Sequence, residues 1–144
     1  MTPEPDQAAS RLAQEHRDIE ALLELFFESL AASDPVAAEA AIGGFDDALR
    51  RHTAFEDERL PPPAGRKLVG TAEEGDVERE ARARRLEGVQ MRELSGILRR
   101  LLAERRDLAS VPGLAANLAR RWDAHAARPL PDGLAPQPPE STRT

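Results

Sequence analysis

Residues 45–60 read FDDALRRHTAFEDERL, and their apolar positions recur at the spacing of one helix face. His52 and Glu56 continue this apolar stripe one turn apart. Three prolines follow at positions 61–63, and they end the helix because proline cannot donate to its hydrogen-bond ladder. The stretch therefore predicts a helix that turns an imidazole and a carboxylate inward near its C-terminal end.

The other two of the three histidines also lie on apolar helical stripes. His16 belongs to the stripe Leu12, Ile19, Leu23 and Phe26, and His125 follows Leu114, Leu118 and Trp122. Polar groups on inward faces cost several kcal/mol unless a partner satisfies them. A metal ion is the simplest shared partner for three imidazoles and one carboxylate. We therefore treat His16, His52, Glu56 and His125 as candidate metal ligands.

The composition predicts an all-α protein. Ala, Leu, Arg and Glu dominate, aromatic residues make up 3% of the chain, and no segment alternates β-branched or aromatic residues with a period of two. The 144 residues, 40% of them hydrophobic, suffice for one domain with a substantial core. We expect that domain over residues 1–128 and a disordered, proline-rich tail over residues 129–144.

Capping residues and prolines divide the domain into four helices. We expect them over residues 6–31, 34–60, 71–107 and 110–128, opening at Asp6, Asp34, Thr71 or Asp76, and Ser110. Short connections favour an up-down-up-down four-helix bundle, in which neighbouring helices run antiparallel. The start of the first helix and the ends of the second and fourth then share one end of the bundle. This topology brings the three histidines and Glu56 to one level.

Charge and composition argue against several classes of function. The net charge of −6 and the pI of about 5.2 do not suit a nucleic-acid binder, and acidic residues interleave the arginine clusters. No apolar run approaches the ~18 residues of a membrane span, and the acidic N-terminus is not a signal peptide. Because the chain lacks cysteine, a metal must be held by nitrogen and oxygen ligands. We expect a cytoplasmic protein.

Three short patterns carry a family resemblance: Glu15-His16-x2-Ile19, His52-x3-Glu56-x3-Leu60-x-Pro62, and the late His125. Over about residues 8–130 the chain resembles the hemerythrin-like family, also called the HHE cation-binding domain. The resemblance implies a four-helix bundle that binds non-haem iron and, in some members, O2 or NO. It assigns His16 to the first helix's ligand, His52 and Glu56 to the second helix's pair, and His125 to the fourth helix's histidine.

Two positions depart from that family's pattern. Gly88 stands where a histidine of the third helix is usual, and Pro129 stands four residues after His125, where a carboxylate is usual. With these two ligands missing, the remaining set suits one ion rather than two, or none. Three imidazoles and one carboxylate fit Fe(II), Zn(II), Mn(II) or Co(II).

The glycine at position 88 needs a physical explanation, because glycine inside a helix costs about 1 kcal/mol relative to alanine. We hypothesise that the missing imidazole leaves a small cavity beside Glu56, filled by water, by a ligand or by a rearranged arginine. Arg84 and Arg85 precede Gly88 by about one turn, and either could reach and neutralise Glu56.

The expected function is binding or sensing through a mononuclear non-haem iron site, with O2 or NO as the ligand that the resemblance suggests. A metal-free relic bundle with a structural or interaction role stays open. A mononuclear iron enzyme acting on peroxide or NO is the third interpretation, and enzymatic activity is the less favoured class. Metal stoichiometry separates the first two, and a spectral response of the Fe(II) form to NO favours a sensor or an enzyme.

Overall fold

The computed structural model describes residues 5–59 and 72–128, and both ranges are helical. The helices are α1 (Pro5–Ala31), α2 (Pro35–Arg59), α3 (Ala72–Glu104) and α4 (Val111–Ala127), with a 3₁₀ turn (Leu108–Ser110) before α4. These two ranges contain no strand, which confirms the predicted all-α class. Within the same ranges, no helix is long and apolar enough to span a membrane. Leu60, Thr71 and the predicted tail over residues 129–144 lie outside the described residues.

The predicted start of α2 is confirmed, whereas that of α1 is shifted. Asp34 caps α2, because its Oδ1 accepts a hydrogen bond from the Ala37 backbone N–H at 3.1 Å. Pro35 then takes the first helical position, where its missing N–H costs nothing. Asp6, by contrast, lies inside α1, which begins at Pro5, so its prediction as the opening cap was wrong.

The end of α3 also differs from the prediction. The helix ends at Glu104 instead of Asp107, because Arg105 and Asp107 take left-handed backbone conformations with φ of 53° and 48°. Ser110 immediately precedes α4 as predicted. Its hydroxyl, however, donates to Asp107 Oδ2 at 2.8 Å instead of accepting from the helix backbone.

Each helix buries the stripe that the sequence predicts. The largest fully buried side chain is Trp122, followed by Phe26 and Phe45. On α3, the buried face includes six positions spaced three, four or seven residues apart: Ala81, Gly88, Met91, Ser95, Leu98 and Leu102. Burial of a large apolar side chain contributes about 1.5–3 kcal/mol, so this core supplies most of the stabilisation.

Contacts between neighbouring helices show the direction in which each runs. His16, early in α1, meets His52, late in α2. At the opposite end of α2, Glu39 pairs with Arg105, just past the end of α3, at 3.7 Å. Arg121 of α4 donates to Gln90 of α3 at 2.6 Å. The start of α1, the end of α2 and the end of α4 are therefore close together in this helical bundle.

Candidate metal centre

The structure brings together all four residues that the sequence singled out. His16 Nε2 lies 3.2 Å from His52 Nε2. One oxygen of Glu56, Oε1, lies 3.3 Å from His52 Nε2 and 3.1 Å from His125 Nε2. The ligand atoms of the three histidines all lie within 4.8 Å of one another. His52, His125 and Glu56 are buried, and His16 is partly exposed.

Two carboxylates hold the outer edges of the buried imidazoles. His52 Nδ1 lies 2.9 Å from Glu15 Oε1, and His125 Nδ1 lies 2.9 Å from Glu87 Oε1. A carboxylate on Nδ1 orients the ring and directs Nε2 toward the interior, as in many metal sites of proteins. Sequence reasoning did not assign these roles to Glu15 and Glu87. The signal was available, because both stand beside the buried face of their helix.

Six ionisable side chains, which we call the charge ring, contact one another in a closed circuit: Glu56, Arg84, Glu80, Arg128, Glu87 and His125. Arg84 Nη1 lies 3.7 Å from Glu56 Oε2, and Arg84 Nε lies 3.4 Å from Glu80 Oε1. Arg128 joins Glu80 at 3.1 Å and also contacts Glu87. Because Arg84 contacts Glu56 and is only 4% exposed, the hypothesis that this arginine reaches Glu56 is confirmed.

The cavity expected at Gly88 is absent from this part of the described structure. A Cβ added to Gly88 would lie 3.2 Å from Thr53 Cγ2 and 3.1 Å from Arg92 Nη1. Arg92 also donates to Thr53 Oγ1 at 2.6 Å, which holds both side chains in front of the glycine. Thr53 and Arg92 thus take the space in front of Gly88, so an arginine does fill it, but it is Arg92 and not Arg84 or Arg85.

Trp122 forms the wall of the site on the α4 side. Its ring centroid lies 5.2 Å from that of His16, 6.0 Å from that of His52 and 5.8 Å from that of His125. The prediction that Trp122 belongs to the core is confirmed, since it is 0% exposed. Within the described residues its indole Nε1 has no hydrogen-bond partner.

The surroundings shift the pKa values of three of the four residues. Burial, together with the nearby charge of His52, lowers the pKa of His16 from 6.5 to about 4. Burial alone would raise the pKa of Glu56, but the hydrogen bond from His125 and the charges of His125, His52 and Arg84 outweigh it and lower that pKa. Burial likewise opposes the charge on His125, yet Glu56 and Glu87 raise its pKa above 6.5. Because both ring nitrogens of His125 face a carboxylate oxygen, a metal ion at Nε2 would compete with a proton there.

Three of the separations between these atoms are close to those in the coordination shell of a metal ion. Tetrahedral bonds of about 2.0–2.1 Å place neighbouring ligand atoms about 3.3 Å apart. The separations of 3.2, 3.3 and 3.1 Å along the series His16, His52, Glu56, His125 are close to that value. The histidine nitrogens lie as much as 4.8 Å apart. For all of them to bind one ion, side-chain rotations would have to bring the most distant nitrogens about 1.5 Å closer together.

Comparisons with models of protein families, with curated proteins and with solved structures gave no match. The resemblance to the hemerythrin-like family therefore rests on the residue patterns of this chain alone. What the centre can do chemically follows from its own geometry: three imidazole nitrogens and one carboxylate oxygen converge at one end of a helical bundle.

Proposed function

We propose that this chain is a hemerythrin-like metal-binding module, an up-down-up-down four-helix bundle that binds one divalent ion, iron in the first instance. The observation that carries the proposal is the convergence of His16, His52, Glu56 and His125 at separations of 3.1 to 3.3 Å along the series. A set of neutral nitrogens and one carboxylate suits Fe(II), and geometry decides among Fe(II), Zn(II), Mn(II) and Co(II).

The protein's own residues have distinct roles in this proposal. His16, His52 and His125 would supply nitrogen ligands, and Glu56 would supply one oxygen. His16 is ready to bind, because its lowered pKa keeps it neutral at physiological pH. Glu15 and Glu87 would hold the other two imidazoles in position. Non-haem Fe(II) sites of nitrogen and carboxylate ligands can keep open positions, so a bound iron ion could take a diatomic ligand such as O2 or NO, which suits binding or sensing.

A single ion is favoured over a pair by two residues of α3. Gly88 offers no ligand, and its space is filled. Arg84 places a positive charge beside Glu56 Oε2, the oxygen that faces away from the histidines. The second departure, Pro129, lies outside the described residues.

A metal-free structural bundle is the second candidate, and one observation favours it. Both ring nitrogens of His125 lie within hydrogen-bond distance of a carboxylate oxygen, at 2.9 Å and 3.1 Å. His52 Nδ1 has Glu15 at 2.9 Å, and its Nε2 lies 3.2 Å from His16 Nε2. The two buried imidazoles thus have partners among the protein's own side chains, so their burial alone does not require an ion.

Metal content after native purification, followed by titration with Fe(II) and Zn(II), separates the two candidates. We expect one equivalent in the wild-type protein. Glu56→Gln should weaken binding at least tenfold, since even the loss of outer partners of metal ligands costs about 10–100-fold. Glu58→Gln is the matched control, because Glu58 lies two residues further along the same helix with its side chain 74% exposed. Equal affinities of the two variants, or a wild-type protein that binds no ion, would contradict the proposal.

A further inference from the structure

We propose that Arg84 is a resident cation that limits the site to a single metal ion. The inference rests on the proposed function and deepens it, because it names the residue that sets the metal stoichiometry. The observation behind it is a juxtaposition inside the bundle: a buried guanidinium between two carboxylates, directly behind the oxygen that faces the histidines.

The two oxygens of Glu56 face two different sets of basic side chains. Oε1 points to His52 and His125, at 3.3 and 3.1 Å, and Oε2 points to Arg84 at 3.7 Å. A carboxylate shared in this way bridges two cations, and here the second cation is a guanidinium. Glu80 lies on the other side of Arg84, 3.4 Å from its Nε, so two oxygens from two helices surround the guanidinium.

Oxygen pairs of this kind also hold divalent ions. Glu56 Oε2 and Glu80 Oε1 would present two carboxylate ligands to an ion in the space of the Arg84 side chain, and water could complete its shell. While Arg84 is there, an incoming ion meets a like charge in a buried position. Repulsion between like charges is strong where water does not screen it.

The charge ring keeps Arg84 in this place. Glu80 is held by Arg128 Nη1 at 3.1 and 3.2 Å, and Arg128 also contacts Glu87. Arg84 is 4% exposed, so to leave its position it would have to break the buried ion pair with Glu56 and the half-exposed one with Glu80 at once. The arginine thus behaves as a fixed part of the site.

Arg92 provides a matched control on the same helix. It lies two turns after Arg84, is half-buried, and its Nη1 donates to the hydroxyl of Thr53. Its removal takes away the same type of side chain from α3 without taking away the cation behind Glu56. Substitutions at the two arginines therefore distinguish a specific effect of Arg84 from a general effect of lost arginine.

The test is the number of Co(II) ions bound per full-length chain, measured by equilibrium dialysis and by the visible spectrum of the ion. We expect one equivalent in the wild-type protein, in Arg84→Lys and in Arg92→Ala, and two in Arg84→Ala. The thermal midpoint of Arg84→Ala should also rise more on addition of Co(II) than that of the wild type. The ion would replace the positive charge that the buried Glu56 and its neighbour Glu80 have lost.

One equivalent in a folded Arg84→Ala variant, or two in the wild type, overturns the role of Arg84 and leaves the metal site standing. A wild-type chain that binds no Co(II) refutes the metal-site proposal itself. In that case, one equivalent of Co(II) bound by Arg84→Ala still supports the exclusion of cations by Arg84, whereas an Arg84→Ala variant that binds no Co(II) overturns it. Helix content by circular dichroism checks the fold. If Arg84→Ala does not fold, Arg84→Gln takes its place with the same expected outcomes.

Discussion

Replacing Glu56 by glutamine should cost the protein about 3 kcal/mol of its free energy of unfolding. The carboxylate is 3% exposed and lies 3.1 Å from His125, 3.3 Å from His52 and 3.7 Å from Arg84. Glutamine keeps the shape but removes the charge. Removal of one partner of a buried ion pair costs about 3–5 kcal/mol, and the lower end applies here because Glu80 still faces Arg84. At about 3 °C per kcal/mol for a chain of this size, the thermal midpoint should fall by about 10 °C.

The measurement is thermal and urea unfolding followed by circular dichroism, with a chelator present so that metal binding does not contribute. Glu58→Gln serves again as the control: the Glu58 side chain is 74% exposed, and its loss should change the stability by less than about 0.5 kcal/mol. If the stabilities of Glu56→Gln and Glu58→Gln agree within error, the buried ionic contacts of Glu56 do not stabilise the fold, and the reasoning is refuted.

Three further predictions concern stability. The pKa of His16 is about 4 in the folded chain and 6.5 when unperturbed. Between these two pH values the unfolded chain binds more protons than the folded chain. The free energy of unfolding should therefore fall by at most about 3 kcal/mol as the pH drops from 6.5 to 4. Urea unfolding at pH 7 and 4.5 should show this loss in the wild type but not in His16→Gln; an equal loss in both would contradict it. Gly96→Ala should stabilise α3 by about 0.5–1 kcal/mol, because an added Cβ meets only Arg50 Nη2, at 3.7 Å; a lower thermal midpoint would count against this. Asp46→Ala should cost about 1–3 kcal/mol, because the buried Ser95 hydroxyl donates to Asp46 at 2.6 Å and would keep only the more distant Arg92 carbonyl, at 3.2 Å, as an acceptor. Adding Ser95→Ala should recover part of that loss, and no recovery would argue that the hydroxyl finds another partner.

Periodicity and topology were enough to predict the central part of the site. The positions of Leu49, His52 and Glu56 on one helical stripe determine which way the two polar side chains point. Antiparallel neighbours then determine their level, because late α2 must lie beside early α1. Both features are properties of whole helices, so they can be read from spacing alone without knowledge of side-chain conformations.

The charge ring could not be predicted in the same way. Arg84 was one of two arginines considered as partners of Glu56, and neither Glu80 nor Arg128 was expected to take part. Long, flexible side chains on an arginine-rich helix form many combinations of pairs, and the rotation of α3 against α4 selects among them. The residue at which α3 ends was also not predicted from the sequence. Arg105 turns the chain with a positive φ although no glycine or proline marks the position.

Trp122 is the chain's single tryptophan, and its indole touches all three imidazoles. Indole fluorescence is quenched by contact with protonated imidazole and by paramagnetic ions. The indole emission therefore originates at the place where, under the proposed function, protons and a metal ion would compete for the same nitrogens. A fluorescence titration of the unmodified protein can follow that competition without an added label.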